Sequence, residues 1–359
     1  MSHYDALPLS AGDRAPFLIG ITARGNVYSS EQQAGRPVLL ILSHSIAAAL
    51  PAIAEGEKRQ DRFAGYDADI LFVGSEEAEE LLVFRLSNPG KLPLVGEADN
   101  FLTQCGHGVG DGPELILLDR NLRVALRRDG TDLQAAYDQA ESVLAAIPRE
   151  EARDETMAAP LLILPNLLDR GMCKALVDLH QANQTFDSGF TTVDGQGKTV
   201  LSVDHSIKKR QDLLLPADNP VSEYLASVIK RRCFPEIRRA FQANLTHTDR
   251  MLLARYDDTG GHFRRHRDDY PASVSFRQFA LSINLNTEDY EGGHLTFPEF
   301  SSHRYKHPTG AGVIFSASLL HEVSPITHGS RYVLLTFLHN EVAEAARRAY
   351  ERSVQLDGI

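Results

Sequence analysis

The feature that most constrains this 359-residue chain is a change in its hydrophobic pattern near residue 150. Before it, short apolar runs alternate with helical patterns. PVLLILS (37–43) and ADILFVG (68–74) read as buried strands, ALPAIAEGEKRQDRF between them reads as a helix, and ELILLDRNLRVALRRDG (114–130) reads as a hairpin turning at Asp119–Asn121. That interleaving predicts an α/β layer fold. After it come two helical patterns, 169–183 and 220–243, and then RMLLARYDD, FRQFALSINLN, HLTFP, AGVIFSA and RYVLLTFL, punctuated by Gly, Pro and Asp. Short alternating segments of this kind predict a β-barrel or double-stranded β-helix with flanking helices. The chain is also too long for one comfortable core. The charged stretch PREEARDETMAAP (148–160) is the natural boundary, giving domains at 1–150 and 158–345 and a C-terminal tail at 346–359.

A formal charge of -11 argues against a nucleic-acid partner or an anionic membrane surface, although KKR at 208–210 is a local basic patch. Cys105, Cys173 and Cys233 are widely spaced, with no CxxC, as expected of unpaired thiols in a reducing compartment. No signal-like N-terminus and no apolar run of about 18 residues is present, so no membrane association and a cytoplasmic location are the expectation.

GGHFRRHRDD (260–269) sets His266 and Asp268 two positions apart. In a chain with 14 histidines such a pair arises roughly once by chance, so it means little alone. A protein-kinase catalytic loop is excluded, because HRDDYPAS lacks the asparagine that loop needs. In an extended strand, residues i and i+2 share a face, so both side chains can reach one centre. LLHEVSPITHGSRYVLLTFL supplies a third ligand, His321. Two imidazoles and one carboxylate suit a non-haem Fe(II) centre with three open positions. A 2-oxoacid with a distal carboxylate then needs a cation. Arg331, ten residues after His321, offers a planar fork, and Tyr256, ten before His266, a phenol.

Two resemblances follow. LSAGDRAPFLIGITARGNVYSSEQQAGRPVLLIL, ADILFVGSEEAEELLVFR and GPELILLDRNLRVALR, within residues 8–147, resemble a peroxiredoxin or thioredoxin-like domain. SHSIAAALP (43–51) lacks the cysteine such an enzyme carries at the following helix, so the domain reads as a scaffold for docking, dimerisation or substrate capture. ARYDDTGGHFRRHRDD, SINLNTEDYEGGHLTFPEF and AGVIFSASLLHEVSPITHGSRYVLLTFL, within residues 160–342, resemble the prolyl 4-hydroxylase-like branch of the Fe(II)/2-oxoglutarate dioxygenases. The resemblance implies a jelly-roll fold and a metal held by His266, Asp268 and His321. It implies 2-oxoglutarate bound by Arg331 and Tyr256, O2 as oxidant and ascorbate as an accessory reductant. The implied reaction is hydroxylation of an unactivated C–H, with succinate and CO2 as products. The implied substrate is a small amino acid-like molecule, or a peptide or protein, with proline as one option.

Around these residues, His262, His294, His303, His307 and His328 read as loop histidines, and Asp269 as facing away from the metal. Gly292 and Gly293 read as a turn, and Asn284 and Thr296 as pocket-lining residues or simple packing. The stretch 189–212 reads as a long loop, with Lys208 and Arg210 as substrate contacts or plain surface charge. Two rival functions stand beside the oxygenase: a thiol-dependent redox protein, with Cys105 as its thiol, and a non-catalytic interaction module. A homodimer through the thioredoxin-like half is a further expectation.

Overall fold

The computed structural model describes residues 8–147, 154–193 and 199–357. The chain divides into two compact units, Met1–Ala152 and Arg153–Ile359. Among the described residues no helix is long and apolar enough to cross a membrane.

The first unit runs β1 (Ile19–Thr22), β2 (Val27–Ser29), β3 (Val38–Leu42), α1 (Ile46–Ala64), β4 (Asp69–Val73), α2 (Ala78–Ser87), β5 (Leu94–Gly96), α3 (Asp99–Gln104), β6 (Glu114–Leu118), β7 (Val124–Asp129) and α4 (Leu133–Ala146). The strands form one mixed sheet, β2-β1-β5-β4-β3-β6-β7, in which β3, β4 and β5 are parallel. VLLIL in β3 is buried at every position because both faces of the sheet are covered. Leu39 and Ile41 pack with Ile53 of α1 and Tyr137 of α4. Val38, Leu40 and Leu42 pack with Phe101 and Leu102 of α3. Ser45, not cysteine, caps α1. Cys105, at the end of α3, is buried, and burial pushes its thiol up to about 12. It is therefore protonated at neutral pH, the opposite of what a redox nucleophile requires.

The second unit runs β8 (Leu161–Leu164), α5 (Arg170–Ala182), β9 (Phe186–Asp187), β10 (Phe190–Val193), β11 (Thr199–Ser202), β12 (Lys208–Lys209), β13 (Gln211–Leu215), α6 (Pro220–Arg232), α7 (Phe234–Phe241) and β14 (His247–Thr248). It continues through β15 (Met251–Asp257), β16 (His262–His266), β17 (Phe279–Asn284), β18 (Tyr290–Gly292), β19 (Leu295–Thr296), β20 (Arg304–Tyr305), β21 (Gly312–Ser316), β22 (His321–Val323), β23 (Ile326–His339) and α8 (Glu341–Asp357). A nine-stranded antiparallel sheet has the path β8-β21-β17-β23-β15-β13-β9, and β14 and β18 also pair with β23. A five-stranded sheet has the order β12-β16-β22-β19-β20. The large sheet is buried on both faces. Leu253, Leu281, Ile283 and Leu334 meet the apolar sides of α5, α6 and α7. Ala280, Val333 and Phe337 on the opposite face meet Leu295 and Val323 of the small sheet. One strand therefore serves two layers by simple alternation.

Four sequence expectations need correction. The pattern at 220–243 is two helices, broken at Cys233, because Pro235 has no N–H to donate and sits in the first turn of α7. HLTFP gives only a two-residue strand. The stretch 189–212 is not an unstructured loop: it holds the β10–β11 hairpin, β12 and the start of β13, with 194–198 outside the described residues. The tail at 346–359 is helical as far as Asp357.

Gly292 and Gly293 both have positive φ, 77° and 61°, and a Cβ on Gly292 would lie 2.3 Å from the Pro325 carbonyl oxygen. This turn joins β18 to β19 against β23. Gly292→Ala is expected to lower unfolding stability by about 1–3 kcal/mol, read by denaturant titration.

Candidate metal centre and its cavity

The site begins with an irregular strand pair. In β16 and β22, Phe263 stands opposite Val323 and His266 opposite His321, so three steps on one strand match two on the other. An even ladder would have placed Arg265 opposite His321. The extra residue is a β-bulge, which re-aims a side chain. The two imidazoles now face each other with ring centres 4.1 Å apart. Phe263, three residues before His266, ends stacked on its ring at 3.4 Å.

Asp268 does not lie on the strand. β16 stops at His266, and the carboxylate reaches back from the turn that follows, whose backbone is held by Asp268 N–H donating to the Ala317 carbonyl at 2.8 Å. One ligand atom from each of His266, Asp268 and His321 falls within 4.8 Å of the others. His266 Nε2 is 3.6 Å from Asp268 Oδ1, and His321 Nε2 is 3.4 Å from Asp268 Oδ2. Bonds of about 2.1 Å at right angles would set neighbouring donors about 3.0 Å apart, so the cluster needs little movement to take an ion.

The tautomers also suit a metal. Nδ1 of His266 lies 2.7 Å from the Arg264 carbonyl oxygen, and Nδ1 of His321 lies 2.9 Å from that of Leu319. A carbonyl only accepts, so each Nδ1 carries a proton, which leaves Nε2 as the atom each ring can offer to an ion. Burial, followed by His266, lowers His321 to about 4, which keeps it neutral at pH 7. Burial alone would raise the Asp268 carboxyl, but His321, His266 and Arg277 hold it well below the usual carboxylate range. Two imidazoles and one carboxylate are a donor set for a divalent ion.

The cluster lies on the wall of a cavity of about 570 Å³. Tyr256 and Arg331 are direct partners across β15 and β23, and both line this cavity. The Arg331 guanidinium sits 5.3 Å from the Tyr256 ring centre. Its Nε and Nη2 both donate to Asn284 Oδ1, at 3.3 and 3.1 Å, while Asn284 Nδ2 donates to the His307 carbonyl at 3.0 Å. Asn284 is thus the brace of Arg331 and not a wall residue. Arg331 is buried, and among the described residues no carboxylate pairs with it. Burial, then Arg331, lowers the neighbouring His307 to about 3, so that ring brings no competing charge. A Cβ on Gly293 would come 3.0 Å from Arg331 Cδ, so the glycine pair also clears space for this side chain.

Other expected residues divide. Arg210 is buried, and Asp212 fills its fork at 2.7 and 2.6 Å; its Nη1 donates to the Tyr256 hydroxyl at 3.2 Å. It braces Tyr256 from the cavity wall, with most of its N–H groups already engaged. Lys208 is buried beside the metal cluster, not exposed. Thr296 faces away from the cavity, because its neighbour Leu295 lines it; Thr296 donates instead to Glu322 at 3.3 Å. Asp269 accepts from Ser318. His262 bonds the Gly260 and Ser206 carbonyls, and His303 and His328 are exposed. Sequence reasoning passed over Phe263, Asp212, Arg250 and Arg277. Only an odd-numbered spacing, Phe263 to His266, hinted at the bulge.

Residues 251–339 match the 2OG-Fe(II) oxygenase superfamily. The second unit thus carries a 2OG-Fe(II) oxygenase domain. The chain is also related to hydroxylases of this kind. It is 28% identical over 154 residues to a PKHD-type hydroxylase of Hyphomonas neptunium, an alignment spanning 40% of this chain and 66% of the relative. Among solved structures, a Pseudomonas putida prolyl-4-hydroxylase aligns over 51% of this chain and 94% of its own, with 17% identity and a TM-score of 0.40. The peroxidoxin BcpB of Mycobacterium tuberculosis aligns over 39% of this chain and 99% of its own, with 16% identity and a TM-score of 0.36.

Asp268→Asn removes the charge of the cluster but not its shape. Calorimetric titration with Mn(II) is expected to show affinity at least about 100-fold below wild type, since even weaker perturbations around a metal cost 10–100-fold.

Proposed function

We propose that this chain is an Fe(II)- and 2-oxoglutarate-dependent hydroxylase. It would replace a C–H of an amino-acid-like or peptidyl substrate by C–OH, with one atom of O2 entering the product and the other entering succinate as 2-oxoglutarate loses CO2. His266, Asp268 and His321 would hold the iron, and the bound metal would supply dioxygen activation. The observation that carries the reading is the convergence of this ligand cluster with a buried guanidinium, Arg331, that has no carboxylate partner among the described residues.

The chain's own residues then have separable tasks. Asp268 supplies the negative charge, and the Leu319 and Arg264 carbonyls keep both Nε2 atoms free. Arg331, braced by Asn284, offers its remaining N–H groups to the distal carboxylate of 2-oxoglutarate, with Tyr256 alongside. Phe315, Val323 and Leu335 form apolar wall that excludes water from the reacting carbon. We read the two antiparallel sheets around this cavity as the halves of a double-stranded β-helix, and the first unit as a scaffold without peroxidase chemistry of its own. Burial of Cys105 and the serine cap of α1 support the latter.

The test is anaerobic addition of Fe(II) and then 2-oxoglutarate, followed by oxygen. A visible charge-transfer band and 2-oxoglutarate-dependent succinate are expected; absence of both would overturn the reading. Arg331→Gln should raise the KM for 2-oxoglutarate by about 10–100-fold, the value of one or two charge-assisted hydrogen bonds.

A further inference from the structure

The cavity wall is rich in basic side chains, and most already have partners. Arg210 pairs with Asp212 at 2.6 Å, Arg277 with Asp249 at 3.0 Å, Arg267 with Glu299 at 2.6 Å and Arg265 with Glu322 at 3.4 Å. Arg331 is committed to the co-substrate in the reading above. Two cations are left, Lys208 and Arg250, and both line the cavity.

Lys208 is 5% exposed. Its Nζ donates to the Gly189 carbonyl at 2.7 Å and lies 4.7 Å from the centre of the Phe263 ring. An ammonium has three donors, and these contacts neutralise none of its charge. Phe263 is the ring stacked on His266, so Lys208 stands one aromatic ring away from the candidate metal ligands. Arg250 comes from the turn before β15, is exposed, and makes no hydrogen bond or ion pair among the described residues. The two are close enough that Arg250, after burial and Arg210, helps push the Lys208 ammonium below its ordinary range. A fold does not gain by burying a cation beside another cation unless an anion completes the group. Asp212 and Asp268 favour the Lys208 charge from a distance, but among the described residues no carboxylate stands within ion-pair distance of it, and in the proposed arrangement the ion and Arg331 would answer the co-substrate's two carboxylates.

We infer that Lys208 and Arg250 form a subsite for a carboxylate on the substrate, placing an acid group a few bonds from the carbon that is oxidised. This deepens the hydroxylase reading and rests on it. Phe186, Leu201 and Tyr270, exposed apolar residues on the same cavity, would cover the uncharged remainder of such a substrate. The acid can be a free main-chain carboxylate or an acidic side chain in a peptide, and paired probes separate these sources.

The experiment uses full-length protein loaded anaerobically with Mn(II) and saturating 2-oxoglutarate, the loading checked by electron paramagnetic resonance. Calorimetry then compares N-acetylglycine with N-acetylglycinamide, and N-acetyl-aspartate N-methylamide with its asparagine counterpart. At least one acid is expected to bind ten-fold or more tightly than its amide, and which pair responds identifies the source. Lys208→Met and Arg250→Gln should each erase that preference. Loading of Lys208→Met reports on its folding, and Arg250→Gln, at an exposed position, carries the test if Lys208→Met does not fold. Equal binding of acid and amide, in a protein that loads normally, overturns the carboxylate subsite alone. Loss of 2-oxoglutarate loading in Arg250→Gln overturns it too, by assigning that charge to the co-substrate. Failure of wild type to load Mn(II) and 2-oxoglutarate overturns the hydroxylase reading and this one with it.

Discussion

The site depends on one irregularity in one strand pair. Because β16 carries a residue more than β22 between their two points of register, His266 stands opposite His321. Paired evenly from Phe263 without the bulge, the same sequence would set Arg265 opposite His321 and turn the His266 imidazole out of that position. The rest follows from where this places the ring. Strand pairing sets the distance between the imidazoles, the carbonyl two residues before each histidine sets its tautomer, and the turn after β16 returns Asp268 to the same point. The candidate metal ligands therefore come from a rigid ladder plus one tied turn, which is the kind of support a precise coordination site requires.

A second ladder does the same for the residues proposed to hold 2-oxoglutarate. Tyr256 and Arg331 are opposite residues of β15 and β23, the pair at the centre of the large sheet, and each is steadied by a polar partner outside the strand pair: Arg210 for Tyr256 and Asn284 for Arg331. Arg210 in turn is neutralised by Asp212 on the neighbouring β13. Burying this many polar groups is expensive unless each is satisfied, and here nearly every charge has an answer inside the protein. Arg331 and Lys208 are the buried cations of the cavity wall without a carboxylate at ion-pair distance among the described residues, which is why the proposals place external negative charge there.

Much of the candidate site was legible in the sequence, and for identifiable reasons. His266, Asp268, His321, Tyr256 and Arg331 sit at spacings that strand alternation can bring to one face, and the structure does gather them around one cavity. The route was less legible. Alternation explains neither Asp268, which lies beyond the strand, nor His266, which faces inward only because of the bulge. A bulge leaves no composition signal. Arg210 and Lys208 were visible as charge in a stretch with Gly, Thr and Asp, a pattern that suggests exposure; only the pairing of β12 with β16 and of β13 with β15 shows that both are buried. Asn284 and Thr296 were indistinguishable as polar residues near a glycine pair. Their difference is strand phase, and a two-residue strand such as β19 is too short to show its phase in sequence.

The charge of the whole chain sharpens the meaning of the cavity. At -11 the protein repels anions at long range, yet beyond about 8 Å that repulsion is screened at physiological salt. A basic cavity in an acidic protein therefore does not steer anions in from a distance, as a basic surface would. It acts only on molecules already at the mouth, where the exposed rings of Phe186 and Tyr270 are the first contact. Such an arrangement sorts by shape and apolar contact first and by charge second. Under the proposal, a single acid group on a small or flexible segment reaches Lys208 after those rings are engaged. The cost of keeping that ammonium buried with no carboxylate in direct contact falls on stability, and under the proposal its return is selectivity at the one step where the substrate lies next to the metal.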